Sequence, residues 1–190
     1  MRKIILASRS KARQKLLKDI GLKFTVARSN VREQSSLKSG CKNLVIKNAL
    51  AKAKDVAARF NSGIIIAADT AVLVGKRVIG KPKNIKDAAK TLRILSKKPQ
   101  WVYSGLVVID IDNGKIYKDY ERTKVYMSRL SDKQIKNYFK RVSPLDKAGS
   151  FNIQGLGGIF IERIEGCFYN VVGLPLAKLA KILRKTGIDL

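Results

Sequence analysis

Short apolar runs alternate along the chain with stretches in which apolar residues recur every three or four positions, a pattern that predicts strands and helices in turn. Ile4 to Ala7 reads as a short buried strand, and Ser8 to Ser10 supply caps for a helix from Lys11 to Ile20 that Gly21 ends. Phe24 to Ala27 reads as a second strand, followed by a polar loop carrying Glu33. Leu44 to Phe60 predicts a long amphipathic helix rich in Ala and Lys, closed by Asn61 and Gly63. Gly63 to Val74 is the clearest strand, and Gly75-Lys76 turns it into a hairpin with Arg77 to Ile79. From Ile85 to Leu95, the residues Ile85, Ala88, Ala89, Leu92 and Leu95 share one helical face. Val102 to Ile111 and Ile116 to Met127 flank Asp112-Asn113-Gly114, a hairpin signal. Ser131 caps a helix presenting Ile135, Tyr138, Phe139 and Val142. Ile159 to Ile164 and Phe168 to Val172 read as further strands, and Leu176, Leu179, Ala180 and Leu183 stripe a last helix after Pro175.

Helices interleave with strands while at least two junctions are hairpins, so the pattern predicts an α/β fold on a mixed sheet. With 190 residues and 45% hydrophobic content the chain can bury a sizeable core, as one domain over residues 1–190 with or without two lobes. No apolar run approaches the roughly 18 residues that a membrane span requires, and the N-terminal MRKIILASRSKARQ lacks the apolar segment of a secretion signal. The expected location is cytoplasmic, with no membrane partner. There Cys41 and Cys167, which form no framework and no metal-ligand spacing, stay as thiols.

The formal net charge of +26 ordinarily suggests nucleic acid. Here the lysines are spread along the whole chain, with no basic block and no Gly-Arg or aromatic-interleaved signature, so a general lysine bias is preferred and nucleic acid is not the expected partner. The absence of histidine is more restrictive, because it excludes Ser-His and Cys-His hydrolases and removes the commonest zinc ligand. A metal-dependent chemistry in this chain would rest on carboxylates and hence on a hard ion, Mg²⁺ or Mn²⁺.

Four segments could carry chemistry. Ser8-Arg9-Ser10, with Arg13 one turn into the helix, has the ingredients of an anion site, or is an ordinary N-cap. Asp69 ends a five-residue apolar run where an unpaired carboxylate is costly; it binds a cation or accepts a proton from water, or it caps a turn or pairs with a lysine. Gly80-Lys81-Pro82 sets a lysine in a rigid turn, as a phosphate contact or as one more surface cation, and Lys52 and Lys54 are no more distinctive. Pro144 to Gly155, followed by Gly157-Gly158, combines glycines, the charged pair Asp146-Lys147 and the amides Asn152 and Gln154 in a loop suited to approaching and reading a ligand, or is structural.

Taken in order, LASRSKARQKLL, ALAKAK, AADT, GKP, Ser104-Gly105, DKAGSFNIQGLGG and GCFYNVVGLPL resemble the Maf nucleotide pyrophosphatases along essentially the whole chain. The resemblance implies a two-lobed mixed α/β fold similar to that of inosine triphosphate pyrophosphatases, with the nucleotide in the cleft between lobes. It further implies that Asp69 is the catalytic carboxylate and Glu33 a second acidic ligand for metal or water. Ser8, Arg13, Lys52 and Lys81 match phosphate-binding positions, and Thr70 and Gln154 match positions linked to substrate choice. DKAG followed by IQG resembles the branch acting on dTTP and UTP. The chain departs from the family pattern S-x-S-P-R-R, carrying Ser10-Lys11-Ala12-Arg13, so one arginine and a helix-starting proline are missing.

The implied reaction is metal-dependent hydrolysis of a pyrimidine or modified pyrimidine nucleoside triphosphate to monophosphate and pyrophosphate, and a homodimer is left open. The rival readings are 7-methyl-GTP as substrate, or a nucleic-acid-binding or cell-division regulatory protein with a vestigial pocket.

Overall fold

A computed structural model describes residues 2–145 and 147–190. Asp146, which the sequence reading placed in the glycine-rich loop, lies outside the described residues. The chain is mixed α/β: β1 (Ile4–Leu6), α1 (Lys11–Asp19), β2 (Thr25–Val26), α2 (Gly40–Ala57), β3 (Ile64–Val74), β4 (Arg77–Ile79), α3 (Ile85–Leu95), β5 (Gln100–Asp110), β6 (Lys115–Met127), α4 (Asp132–Arg141), β7 (Ile161–Glu165), α5 (Phe168–Val172) and α6 (Leu176–Lys185). Short 3₁₀ turns occupy Ala148–Ser150 and Gly155–Phe160.

The strand order is β2-β1-β3-β5-β6-β7, with β4 paired to β3. β1 pairs in parallel with β2 and β3, whereas β3–β4 and β6–β7 are antiparallel. Apolar side chains on both faces of Ile64 to Ala68 are what a strand buried on both sides requires. No helix among the described residues is long and apolar enough to cross a membrane.

The chain divides into two compact units, residues 1–70, 104–121 and 173–190 in the first, and 71–103 and 122–172 in the second. The first is built around Ile5, Ala7, Ile65, Ala67, Val107 and Ile109, on which α2 lays Ala49, Ala53 and Val56. The second gathers Leu92, Leu95, Val102, Val125, Ile135 and Tyr138 with Phe151 and Phe160. Tyr138 also accepts a hydrogen bond from the Asn152 amide at 3.1 Å, which anchors the glycine-rich loop on α4.

Two predicted strands are corrected. Phe168–Val172 is a short helix, because Gly166 and Gly173 break the chain with φ of 123° and 118°, and the turn between them buries Asn170, whose amide donates to Val102 O and Thr123 Oγ1. Five apolar residues are too few for their period to separate strand from helix. The strand expected over Ile159 to Ile164 begins only at Ile161, since residues 155–160 are wound as a 3₁₀ segment.

Candidate active site

The first unit assembles a charged cluster from three segments. β3 delivers Asp69 at the point where its apolar run gives way, α2 delivers Asn48 and Lys52 one turn apart on the same face, and the loop between β2 and α2 delivers Glu33. The Lys52 ammonium lies 2.6 Å from Asp69 Oδ1 and 2.6 Å from Glu33 Oε1. Asp69 and Lys52 are 8% and 11% exposed at their side chains against 57% for Glu33, so Glu33 marks the solvent side of the cluster. Asn48 donates to the second Asp69 oxygen, Oδ2, at 2.9 Å. Both carboxylate oxygens of Asp69 are thereby paired, which is what its burial demands.

Helix α2 reaches this position because β5 carries glycine where the two cross. A Cβ on Gly105 would collide with the carbonyl oxygen of Val45 and stand 2.7 Å from the Ile46 nitrogen. Cys41, buried on the same helix, has its thiol pushed up to about 11 by burial and by the Asp69 charge, so it stays protonated and unreactive near neutrality.

A second network ties the turn after β1 to the end of this cluster. Ser10 caps α1 by accepting from the Arg13 amide at 3.3 Å, and Ser8 Oγ accepts from the Ser10 amide at 3.2 Å. Arg13 turns inward: its guanidinium donates to Ser8 Oγ at 3.2 Å, Thr70 Oγ1 at 2.9 Å and Gly173 O at 2.7 Å. Thr70 Oγ1 also meets Ser104 Oγ at 2.8 Å. Burial holds the Arg13 guanidinium below its ordinary value, and the charges of Asp69 and Glu33 oppose that shift. An arginine stays charged regardless, so a fixed positive group stands behind the β1–α1 turn.

The remaining two residues named from the sequence, Lys81 and Gln154, lie in the second unit. Lys81 is exposed, and its turn is held to the glycine-rich loop by a 3.4 Å bond from the Gly149 amide to Gly80 O. Gln154 is half-buried, with its amide N–H on Asn152 Oδ1 at 3.1 Å. The loop is tight: Gly149 has φ 78°, Ser150 has φ 64°, and a Cβ on Gly157 would meet the Tyr138 hydroxyl at 2.9 Å. Ser150 is the one non-glycine residue with positive φ among those described, a strain that no local residue pattern signals.

Glu33 and Asp69 converge on the Lys52 ammonium, and as two carboxylates they could also hold a cation through hard oxygen donors. That donor set fits Mg²⁺ or Mn²⁺, which take one or two carboxylates, keep water, and complete their shell with phosphate oxygens. Among the described residues no three Asp, Glu, Cys or His side chains gather as a metal-ligand group, here or elsewhere, so this site offers two carboxylates only. Asn48 is the contributor that the sequence reading missed. Its only signal was its place four residues before Lys52, on a face that otherwise reads as core.

Residues 3–186 match the family model described as Maf-like protein. The chain belongs to the Maf family. Two relatives, from Methanosarcina barkeri (strain Fusaro / DSM 804) and Clostridium tetani (strain Massachusetts / E88), are both named dTTP/UTP pyrophosphatase. The first is 46% identical over all of this chain and 97% of its own length, the second 45% identical over 98% of each. Among solved structures, the Staphylococcus aureus Ham1 protein superposes with a TM-score of 0.48 at 16% identity, covering 77% of this chain and 94% of that one.

Proposed function

We propose that this Maf protein is a divalent-cation-dependent nucleoside triphosphate pyrophosphatase acting in the cytosol on dTTP, UTP or modified pyrimidine triphosphates, with the nucleoside monophosphate and pyrophosphate as products. The observation that carries the reading is the buried Asp69 carboxylate sharing the Lys52 ammonium with Glu33. The names of its full-length relatives support the reaction class and the bases.

Most of the catalytic task is to neutralise the triphosphate and align water with the α-phosphorus. Asp69 accepts the proton of the attacking water as the new P–O bond forms and the bond from the α-phosphorus to the bridging oxygen breaks, releasing pyrophosphate. Lys52 holds Asp69 in place, and Lys81 supplies a point charge to the departing phosphates. Ser8 and the N-terminus of α1 offer hydroxyl and N–H groups to phosphate oxygens, with the charge of Arg13 fixed behind them. A bound Mg²⁺ or Mn²⁺, held by Asp69 and Glu33, would supply positive charge to the triphosphate oxygens. Thr70 and Gln154 are proposed to take part in substrate choice.

The test is a panel of triphosphates with pyrophosphate release measured in Mg²⁺, Mn²⁺ and EDTA. Release from dTTP and UTP that EDTA abolishes and added metal restores is the expected result. Full activity in metal-free buffer would remove the cation from the mechanism, and absence of turnover on every triphosphate would remove the activity.

A further inference from the structure

The loop that carries Glu33 has no helix or strand of its own, yet a ladder of side chains holds it along α2. Arg59 Nη2, just past the helix end, donates to Arg28 O at 2.7 Å, and Asp55 Oδ2 accepts from the Asn30 amide at 3.2 Å. Lys52 takes Glu33 at 2.6 Å, and Asn48 Oδ1 accepts from the Gln34 amide at 2.9 Å while Asn48 Nδ2 donates to Gln34 O at 3.0 Å. The rungs fall at residues 48, 52, 55 and 59, spacings of three and four that keep them on one helical face. The outer rungs are open to solvent, with Arg59 44% and Asp55 30% exposed at their side chains, whereas Asn48 is 5% exposed.

Asn48 differs from the other rungs because it joins the loop to the catalytic carboxylate. One hydrogen of its amide goes to Gln34 O and the other to Asp69 Oδ2, while its oxygen receives the Gln34 N–H. The opposite amide orientation would aim its oxygen at two acceptors and its nitrogen at a donor, so the network admits one orientation only. An aspartate here would set a second negative charge against Asp69. A leucine would leave both backbone groups of Gln34 and one oxygen of Asp69 without these bonds. Asn48 thus holds Oδ2 of Asp69 while Lys52 holds Oδ1 and links it to Glu33.

We propose that Asn48 is a positioning residue that fixes the separation of the Glu33 and Asp69 carboxylates, and so sets the affinity of the site for its divalent cation. The inference rests on the metal-dependent reading above and adds to it the residue that shapes the site without touching metal or substrate. Partners of this kind typically change metal affinity by 10-fold to 100-fold.

The experiment titrates Mn²⁺ alone into the full chain, following free Mn²⁺ by electron paramagnetic resonance, with hydrogen exchange at the Gln34 amide and steady-state kinetics alongside. Asn48→Leu and the smaller Asn48→Ala are compared with Asp55→Ala, which cuts an outer rung only. The expected result is faster Gln34 exchange in all three variants, but an Mn²⁺ dissociation constant raised by roughly tenfold or more only in the Asn48 variants, with kcat lowered more than KM is raised. Asn48→Ala keeps the test decisive where Asn48→Leu does not fold. Unchanged Mn²⁺ affinity in a folded Asn48 variant overturns the proposal, as does an equal loss in Asp55→Ala, which would make the effect one of loop tethering in general. Failure of the unsubstituted chain to bind Mn²⁺ would instead overturn the metal reading itself.

Discussion

Gly105 leaves no room for a side-chain carbon beside Val45, whose carbonyl oxygen a Cβ there would strike. The contact is backbone against backbone, so a substituted chain must move α2 rather than a flexible side chain. Gly105→Ala is expected to destabilise the fold by about 1–3 kcal/mol, the usual range for overpacking. It should also lower turnover by drawing Asn48 and Lys52 away from Asp69. Urea denaturation and pyrophosphate release measured together check this; wild-type values of both would mean that α2 is not seated by the glycine.

Asp69 receives two donors, the Lys52 ammonium and the Asn48 amide, and an asparagine in its place has only one oxygen to offer them. Asp69→Asn is expected to keep the fold while lowering kcat by at least about a hundredfold, the scale of a lost general base. Retention of more than about a tenth of the activity would take Asp69 out of the proton transfer.

Lys81 sits in a turn braced by the Gly149 bond to Gly80, while Lys76 and Lys83 flank it as exposed side chains. Lys81→Ala should therefore reduce kcat/KM for the triphosphate more than Lys76→Ala or Lys83→Ala does. Equal losses in all three would assign the effect to overall charge.

Arg2 bonds Asp110 and Asp112 at the start of the β5–β6 turn, and Asn113 donates to Asp110 Oδ2 at 2.9 Å. The Arg2 hydrogen bond holds the Asp110 carboxyl below its ordinary value against the opposing effect of burial. A carboxyl whose pKa is depressed on folding adds stability that is present above its unfolded value, near 3.9, and that is lost as pH falls through the folded value. Urea midpoints followed from pH 7 to pH 2 should fall steeply at the acid end. In Asp110→Asn that slope should flatten, with stability near neutrality lower by about 1–3 kcal/mol for the broken charge-assisted bonds. Parallel curves for the two proteins would show that this pair does not govern acid unfolding.

Gln154 stands in the IQG turn, where an amide offers both a donor and an acceptor, and the N3–H of uracil or thymine lies between two carbonyls. A base mismatched to such a site leaves polar groups unpaired, at roughly 1–3 kcal/mol each. dTTP and UTP are expected to be hydrolysed faster than GTP, ATP or 7-methyl-GTP, and Gln154→Ala should narrow that gap more than it lowers the best rate. A preference for 7-methyl-GTP at limiting concentration would reverse the base assignment and leave the reaction type standing.

Periodicity located the elements whose pattern is long or whose ends are chemically marked. The α3 helix runs from Ile85 to Leu95 as read, because Asn84 caps it and five apolar residues share its face. The sheet's hairpins followed from Gly75-Lys76 and Asp112-Asn113-Gly114 in the same way. Phe168–Val172 was misread because five apolar residues carry no period and the flanking glycines act through backbone angles that composition does not reveal. Helix α2 starts at Gly40, a turn before the apolar pattern begins, since Gly40 and Lys42 to Asn43 contribute no stripe. At the site, Asp69 stood out as a carboxylate after an apolar run, and Glu33 entered through family resemblance alone. Asn48 and the inward turn of Arg13 depend on which distant backbone groups fold back against them, at Gln34 and Gly173, and no local pattern encodes that.

Arg13 separates two kinds of positive charge that a net charge of +26 adds together. The exposed lysines act through water, where at physiological ionic strength mobile ions damp their fields over about 8 Å. Arg13, 8% exposed and held by Ser8, Thr70 and Gly173, lies where those ions do not follow. Its field at the β1–α1 turn is a property of the fold rather than of the buffer. Added salt therefore weakens the long-range gathering of anions by the surface while leaving this local attraction largely intact.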